Sequence, residues 1–300
     1  MRDHGIEQNC TVAVRMPASF TLLLMLFALW SRGAQVMLID FRLKPAEYER
    51  LVDLLQPQYL VDSDDRSGPV AGFRDEVDFA VRRRPTGRPN ETDVCLVQCS
   101  SGSTGQPKII GRSAHSLLAE LDRYATLEGM PGKGERLVLL NSVIHAMGLV
   151  GGVLHALNAQ TTLALPVGVQ PTDVLGLAAE TKACAIFGVP VHFDLLAGTN
   201  RILELPSLRL AVSAGEILPV EIYQRFRDRY HVPISPVYGM TEVGIIASDL
   251  AGEQPPPAVG VPAAGIEVKV SDQELYVRMD RSPYLFTDRA GRFVDGWLRT

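Results

Sequence analysis

The chain has 300 residues, with 29 Lys plus Arg against 34 Asp plus Glu (formal net charge −5), and is 46% hydrophobic and 21% charged. These proportions exclude a disordered, collagenous or disulfide-rich chain, and a mildly acidic chain without a long basic block is a poor match to nucleic acid. The length suits one large α/β unit or about two domains, in a soluble, cytoplasmic protein acting on small molecules.

A strand is expected at 12–16, followed by a nearly all-apolar run at 18–30. At 13 residues that run is short of the roughly 20 needed to cross a bilayer. A signal peptide would place a short basic stretch before it, not Asp3, Glu7 and Pro17. A buried helix is the expectation, stopped by Ser31-Arg32-Gly33. A strand at 36–39, a helix at 45–55 with Pro45 in its first turn and a strand at 59–61 follow. Residues 63–93 hold acids, prolines, Gly87 and the run Arg82-Arg83-Arg84, and read as a solvated connecting segment.

From Val94 the alternation resumes: strand 94–99, a Gly-rich loop, a helix near 113–129, strand 136–140 and a helix near 148–158. Strand 161–165, helix 172–181, strand 184–187, helix 190–197, strand 208–212 and helix 219–230 continue it. Pro255 to Pro257 then precede a β-like tail with alternating stretches at 266–270 and 274–278. Strands alternating with helices predict a mostly parallel sheet covered on its faces. Cys10, Cys95, Cys99 and Cys184 include no C-x-x-C pair, so free thiols are expected.

The sharpest chemical signal is Ser100-Ser101-Gly102-Ser103-Thr104-Gly105-Gln106-Pro107-Lys108, directly after a strand. Glycines and small hydroxyls there let backbone N–H groups turn inward around phosphate oxygens, and Lys108 adds a positive charge. The spacing is neither a Walker A loop nor a G-x-S-x-G elbow, so composition alone leaves a phosphate loop or a flexible turn. The second signal is Pro236-Val237-Tyr238-Gly239-Met240-Thr241-Glu242, which brings an aromatic, a glycine, a hydroxyl and a carboxylate together. The third, Ser213-Ala214-Gly215-Glu216, follows a strand, where α/β sheets place ligands.

SSGSTGQPK, SAGE and YGMTE in this order resemble the adenylate-forming superfamily: acyl- and aryl-CoA synthetases, luciferases and peptide-synthetase adenylation domains. The segments ALWSRGAQVMLID, GVPVHFDLL, QELYVR and GWLRT match as well, so the resemblance covers nearly the whole chain. It implies an α/β fold of two stacked αβαβα-type subdomains with largely parallel sheets, plus a small β-barrel-like subdomain. Here these would be 1–90, 91–250 carrying the phosphate loop and adenylate motifs, and 251–300.

The activity it implies is ATP- and Mg²⁺-dependent activation of a carboxylic acid to an acyl-adenylate with release of pyrophosphate. Transfer to the thiol of CoA or of a phosphopantetheinyl carrier protein follows; neither a nucleic-acid partner nor a membrane span is implied, and oligomeric state is left open. By motif position, Ser101, Gly102, Ser103, Thr104, Gly105 and Lys108 would bind the β- and γ-phosphates. Tyr238, with Gly239 beside it, would stack on adenine opposite Gly215 and Glu216; Thr241 would contact the α-phosphate and Glu242 would bind Mg²⁺.

His145 sits where the family often carries an aromatic or His gate, although a core histidine on an apolar segment fits the residues equally. Met147, Gly148, Leu149, Gly151, Phe187, Gly188 and Ala214 would line an apolar acid pocket. The family's α-amino-binding Asp has no match here, which favours a simple acid, aromatic or aliphatic, over an amino acid. Against the family pattern, the match lacks an N-terminal stretch, the ribose-binding Asp beyond Thr300 and the mobile C-terminal domain with its lysine. The 300 residues are therefore expected to bind adenylate but catalyse poorly alone. Two other classes fit the same loop: a non-catalytic nucleotide-binding module, and an amidase-type hydrolase with Ser101 or Ser103 as nucleophile and Lys108 as base.

Overall fold

The computed structural model describes residues 4–65, 72–100, 108–200, 203–285 and 291–300. Two compact units divide the chain: residues 1–117 with 283–286, and 118–282 with 287–300.

In the first unit, β1 (Thr11–Arg15), α1 (Phe20–Trp30), β2 (Gln35–Leu38), α2 (Pro45–Leu55) and β3 (Tyr59–Asp62) alternate as expected. Ser19 caps α1 by accepting the Leu22 N–H at 3.0 Å, so the helix starts two residues inside the apolar run. Leu22, Leu23, Met25, Leu26 and Leu29 bury its inner face, while Phe20 and Leu24 stay exposed. Among the described residues no helix is long and apolar enough to cross a membrane. In α2, Pro45 takes the first position and the Glu47 carboxylate accepts the Lys44 N–H at 3.0 Å.

β1 pairs in parallel with β2 and β3, and β2 in parallel with β5 (Val94–Ser100). Two further strands depart from expectation. β4 (Ala80–Arg83) pairs antiparallel with β3, inside the segment read as a connector, and β6 (Lys108–Ser113) pairs antiparallel with β5 where a loop leading to a helix was expected. The sheet order is β4-β3-β1-β2-β5-β6, so both antiparallel strands lie at its edges. β4 is almost wholly exposed, and its charges blunt that edge. β6 is bordered by residues 283–285: Gly111 N–H donates to Pro283 O at 2.9 Å, and the Leu285 side chain occupies the space a Cβ on Gly111 would need.

A buried polar cluster closes the carboxyl ends of β1 and β3. Asp62, 5% exposed, accepts from Tyr48 Oη at 2.7 Å and Arg82 Nη2 at 2.7 Å, and forms an ion pair with Arg15, whose Nε lies 3.2 Å away. The Arg15 guanidinium also lies 3.8 Å above the Tyr48 ring. Burial first, then the Asp62 hydrogen bond, push the Tyr48 phenol up, so it stays protonated. Arg82 and Arg84 are thus tied down: Arg84 donates to Val52 O at 3.0 Å and Asp53 at 3.2 Å.

The second unit holds most of α3 (Ala114–Thr126), then β7 (Arg136–Leu139), a π-helix (Met147–Leu154) running into α4 (His155–Ala159), and β8 (Thr162–Ala164). Next come α5 (Pro171–Glu180), β9 (Ala185–Gly188), α6 (Pro190–Gly198), β10 (Leu210–Ala214), α7 (Val220–Tyr230), β11 (Ile234–Met240), β12 (Gly244–Ser248) and β13 (Val261–Pro262). These strands order as β13-β12-β11-β10-β9-β7-β8, parallel from β11 to β8 and antiparallel at the other edge. Val138, Ile186, Ala211 and Ile234 share one face and pack under α5, α6 and α7 against Leu175, Phe193 and Phe226. The tail forms an antiparallel sheet, β14 (Val268–Ser271), β15 (Glu274–Arg278), β16 (Phe293–Val294) and β17 (Trp297–Arg299), in the order β14-β15-β17-β16.

Gly176 lies inside α5 with open space at its Cβ position. Gly176→Ala is expected to raise stability by about 0.5–1 kcal/mol in urea denaturation, through helix propensity alone. His155 is 1% exposed, with Nε2 3.0 Å from Pro131 O, and His192 Nδ1 accepts the Val189 N–H at 3.1 Å. Burial lowers both histidine pKa values, so the folded chain keeps them neutral. Below about pH 6.5 the unfolded chain binds protons that the folded one refuses. The melting temperature should hold above that pH and fall below it, and His155→Gln should flatten part of the fall.

Candidate functional site

Residues 101–107, and with them Ser101, Gly102, Ser103, Thr104 and Gly105, lie outside the described residues. Their flanks are described: Lys108, half-buried, opens β6 directly opposite Ser100 of β5. The loop therefore joins two antiparallel strands at one edge of the first unit's sheet. A strand-to-helix loop was the expectation; Ile109 and Ile110 bury into that unit instead, and the helix begins only at Ala114.

The other predicted residues belong to the second unit, where the parallel ladder gathers most of them. Ser213 is in register with Gly188, and Ala214 with Val237. Phe187 and Gly188, then Ala214, Gly215 and Glu216, then Tyr238 and Gly239 thus meet at the carboxyl ends of β9, β10 and β11. Parallel sheets offer ligands this end, where the chain must leave the ladder. Gly215 turns the chain out of β10 at φ +94°, which leaves Glu216 exposed. Tyr238 is half-buried, whereas Phe187 is 0% exposed and is a core side chain.

Asn141, just past β7, donates from Nδ2 to Gly188 O at 3.2 Å and ties the segment leading to His145 to the same edge. His145 is exposed, which removes the core-histidine alternative; the buried imidazole is that of His155. The His145 carbonyl accepts the Leu149 N–H at 2.8 Å as the π-helix begins. Where one α-helix was expected at 148–158, the Gly-rich stretch winds in wider turns. Gly148 lies against the Ser142 carbonyl, Gly151 against the Tyr124 ring and Gly152 against Leu139, each with a neighbour inside the volume a Cβ would take. Met147 Sδ accepts the Tyr124 hydroxyl at 3.3 Å. Gly148 is thus demanded by backbone packing. Gly148→Ala should cost about 1–3 kcal/mol in urea denaturation, because the obstructing Ser142 carbonyl is backbone and cannot swing aside as a side chain would.

Thr241 and Glu242 occupy the tip of a hairpin that sequence patterning did not reveal. β11 and β12 pair antiparallel with a bulge at Tyr238/Gly239, and Val243 N–H donates to Met240 O at 3.2 Å. Gly244 follows at φ +85°, a left-handed residue that closes a three-residue hairpin loop. A Cβ on Gly239 would lie 2.6 Å from the Gly244 carbonyl, so glycine at both positions lets the strands close. Thr241 is half-buried and Glu242 only 3% exposed.

Sequence reasoning missed three polar residues around these motifs. Asn141 Oδ1 and Ser213 Oγ are buried without a hydrogen-bond partner among the described residues, and both flank Gly188. Such atoms mark places where a ligand group or a water is owed a bond. The third, Glu120 of α3, is 1% exposed and accepts the Ile245 N–H at 3.2 Å. Only Ser213 carried a signal, as part of SAGE. Burial pushes Cys99 up to about 12 and raises Cys95 and Cys184 too, so these thiols are held protonated.

No group of three His, Cys, Asp or Glu side chains converges on a metal position among the described residues. A single carboxylate such as Glu242 suits Mg²⁺, which keeps several waters and takes phosphate oxygens from a bound nucleotide.

The model of the AMP-binding enzyme family matches residues 1–281. A feruloyl-CoA synthase of an Amycolatopsis species is 27% identical over 264 residues, covering 84% of this chain and 53% of that protein. An anthranilate–CoA ligase of Pseudomonas aeruginosa is 27% identical over 231 residues, covering 71% of this chain and 44% of its own. The chain spans about half the length of these curated relatives. Among solved structures, an anthranilate CoA ligase in complex with anthranoyl-AMP superposes with a TM-score of 0.83 at 20% identity, over 100% of this chain and 65% of that one, and shares the fold.

Proposed function

The chain belongs to the AMP-binding enzyme family, and from that premise we propose that it supplies the nucleotide- and acid-binding part of an AMP-forming acid–thiol ligase. The observation that carries this reading is the convergence of Gly188, Ala214–Gly215–Glu216 and Tyr238 on the carboxyl ends of three adjacent parallel strands, with the Thr241–Glu242 hairpin following directly.

In this reading the acid's carboxylate attacks the α-phosphorus of ATP, the bond to the β-phosphate oxygen breaks, and pyrophosphate leaves. The thiol of CoA or of a carrier-protein phosphopantetheine then displaces AMP from the acyl carbon. No protein nucleophile is needed; positioning and charge stabilisation carry the displacement. Tyr238 would stack on adenine, with Gly239 allowing close approach and the Gly215–Glu216 turn on the other side. Ser101, Gly102, Ser103, Thr104, Gly105 and Lys108 would hold the β- and γ-phosphates. Thr241 would donate to the α-phosphate as its charge redistributes, and Glu242 would be the carboxylate that holds Mg²⁺. Bound there, Mg²⁺ would offset phosphate charge.

His145, exposed beside the π-helix, would stand at the mouth of the acid pocket, with Met147, Gly148, Gly188 and Ala214 around it and Phe187 backing it from the core. A small aromatic acid is the proposed substrate, supported by the feruloyl-CoA synthase and the anthranilate–CoA ligase among the relatives and by the apolar character of these residues. ATP–pyrophosphate exchange with benzoates, fatty acids and amino acids tests it, on the chain alone and supplied with a C-terminal domain. Exchange with benzoates supports the reading; exchange with amino acids only would refute the substrate class.

A further inference from the structure

The carboxylate of Glu120 lies deep in the second unit, 1% exposed on α3, where it has no place in the chemistry described so far. One oxygen accepts the N–H of Ile245 at 3.2 Å. The whole carboxylate rests against Gly244, filling the volume that a Cβ at that residue would occupy. Gly244 and Ile245 are the first residues of β12, immediately after the turn that carries Thr241 and Glu242. Gly244 is therefore glycine for two reasons, its φ of +85° and the carboxylate packed on it.

From this juxtaposition we propose that Glu120 is a positioning residue for the Thr241–Glu242 hairpin: its carboxylate clamps the outgoing strand at Gly244–Ile245 and so fixes where the turn points. The proposal rests on the reading of Thr241 and Glu242 as nucleotide- and Mg²⁺-facing groups only for its catalytic consequence; the clamp itself concerns this chain's own residues. The physical basis is direct. A buried N–H that loses its acceptor costs more than the net worth of the bond, and removing the Glu120 carboxylate takes that acceptor from the Ile245 N–H. Hairpin turns at the end of a two-strand pair are otherwise the first part of a sheet to open.

The test uses the 300-residue chain with Glu120→Ala, Glu120→Gln, and Asp122→Ala as a control at an exposed position of the same helix. Hydrogen exchange of the amides at 241–245 is read without nucleotide, and affinity for Mg²⁺-ATP by titration calorimetry well below each variant's melting temperature. Glu120→Ala should speed exchange at 241–245 roughly tenfold to a hundredfold while leaving β9 and β10 unchanged. It should also weaken Mg²⁺-ATP binding by about tenfold or more, with Glu120→Gln, which keeps an acceptor oxygen, recovering most of both. Unchanged exchange at 241–245 in Glu120→Ala would overturn the proposal, as would uniform acceleration throughout the unit. A wild-type chain that binds no Mg²⁺-ATP, with the exchange effect present, leaves the clamp standing and refutes the nucleotide role of the hairpin.

Discussion

Thr241→Ala is expected to slow acyl-adenylate formation about 100- to 1,000-fold, the range seen when one preorganised donor is removed from a developing charge. The hydroxyl sits on a turn held by the Val243-to-Met240 hydrogen bond and by glycine at 239 and 244, so its position costs little reorganisation at the moment of reaction. Thr241 is half-buried at a hairpin tip, and its truncation should leave the fold intact. ATP–pyrophosphate exchange by the chain supplied with a C-terminal domain reads the rate, and a melting curve confirms the fold. Thr241→Ser should keep most of the activity. An unchanged exchange rate in Thr241→Ala would remove this residue from the chemistry.

The largest stability effect is expected at Asp62. Asp62→Ala would leave Arg15, 8% exposed, without its carboxylate and the Tyr48 hydroxyl without its acceptor. Breaking a buried ion pair from one side costs about 3–5 kcal/mol, because the surviving charge stays desolvated. Arg82, whose side chain is 63% exposed, contributes little to that figure since solvent screens it. Urea denaturation followed by circular dichroism should show the loss for Asp62→Ala and a smaller one for Asp62→Asn, which keeps an acceptor for Tyr48. A loss under about 1 kcal/mol for Asp62→Ala would mean that the cluster relaxes or admits water.

The parallel cores were legible because local signals and tertiary packing agree there. Val12, Val36, Val61, Leu137, Ile186 and Ala211 stand in short apolar runs, and Pro45, Pro171 and Pro190 mark helix starts. The antiparallel edges were not legible. Ala80–Arg83 carries two arginines in four residues, and Lys108–Ser113 has one apolar pair beside a glycine, so neither alternates clearly. Each becomes a strand through its partner, β3 or β5, which a local pattern does not encode. The hairpin at Thr241–Glu242 hid for the same reason: its motif was read for chemistry, while Gly244 was the structural cue.

Of the candidate site, the motif residues were legible and their supports were not. Ala214, Gly215 and Tyr238 announce themselves by residue type beside a strand. Asn141 and Glu120 are ordinary residues in helical or loop sequence, and only the register that brings Gly188 and Ile245 to them gives them a role. His145 illustrates the converse. Its apolar neighbours allowed a core position, yet the turn at Ser142 carries it out to solvent while His155 takes the buried place.

The central claim is that this chain holds an acyl-adenylate between an adenine-facing tyrosine and an apolar acid pocket. Titration of the chain with a non-hydrolysable benzoyl-sulfamoyl adenosine, with AMP and benzoate as separate controls, tests it most directly. The account predicts saturable one-to-one binding of the adenylate mimic, tighter than AMP or benzoate alone and weakened by Tyr238→Ala. No binding of the mimic by a folded chain, or binding that Tyr238→Ala leaves untouched, would contradict it.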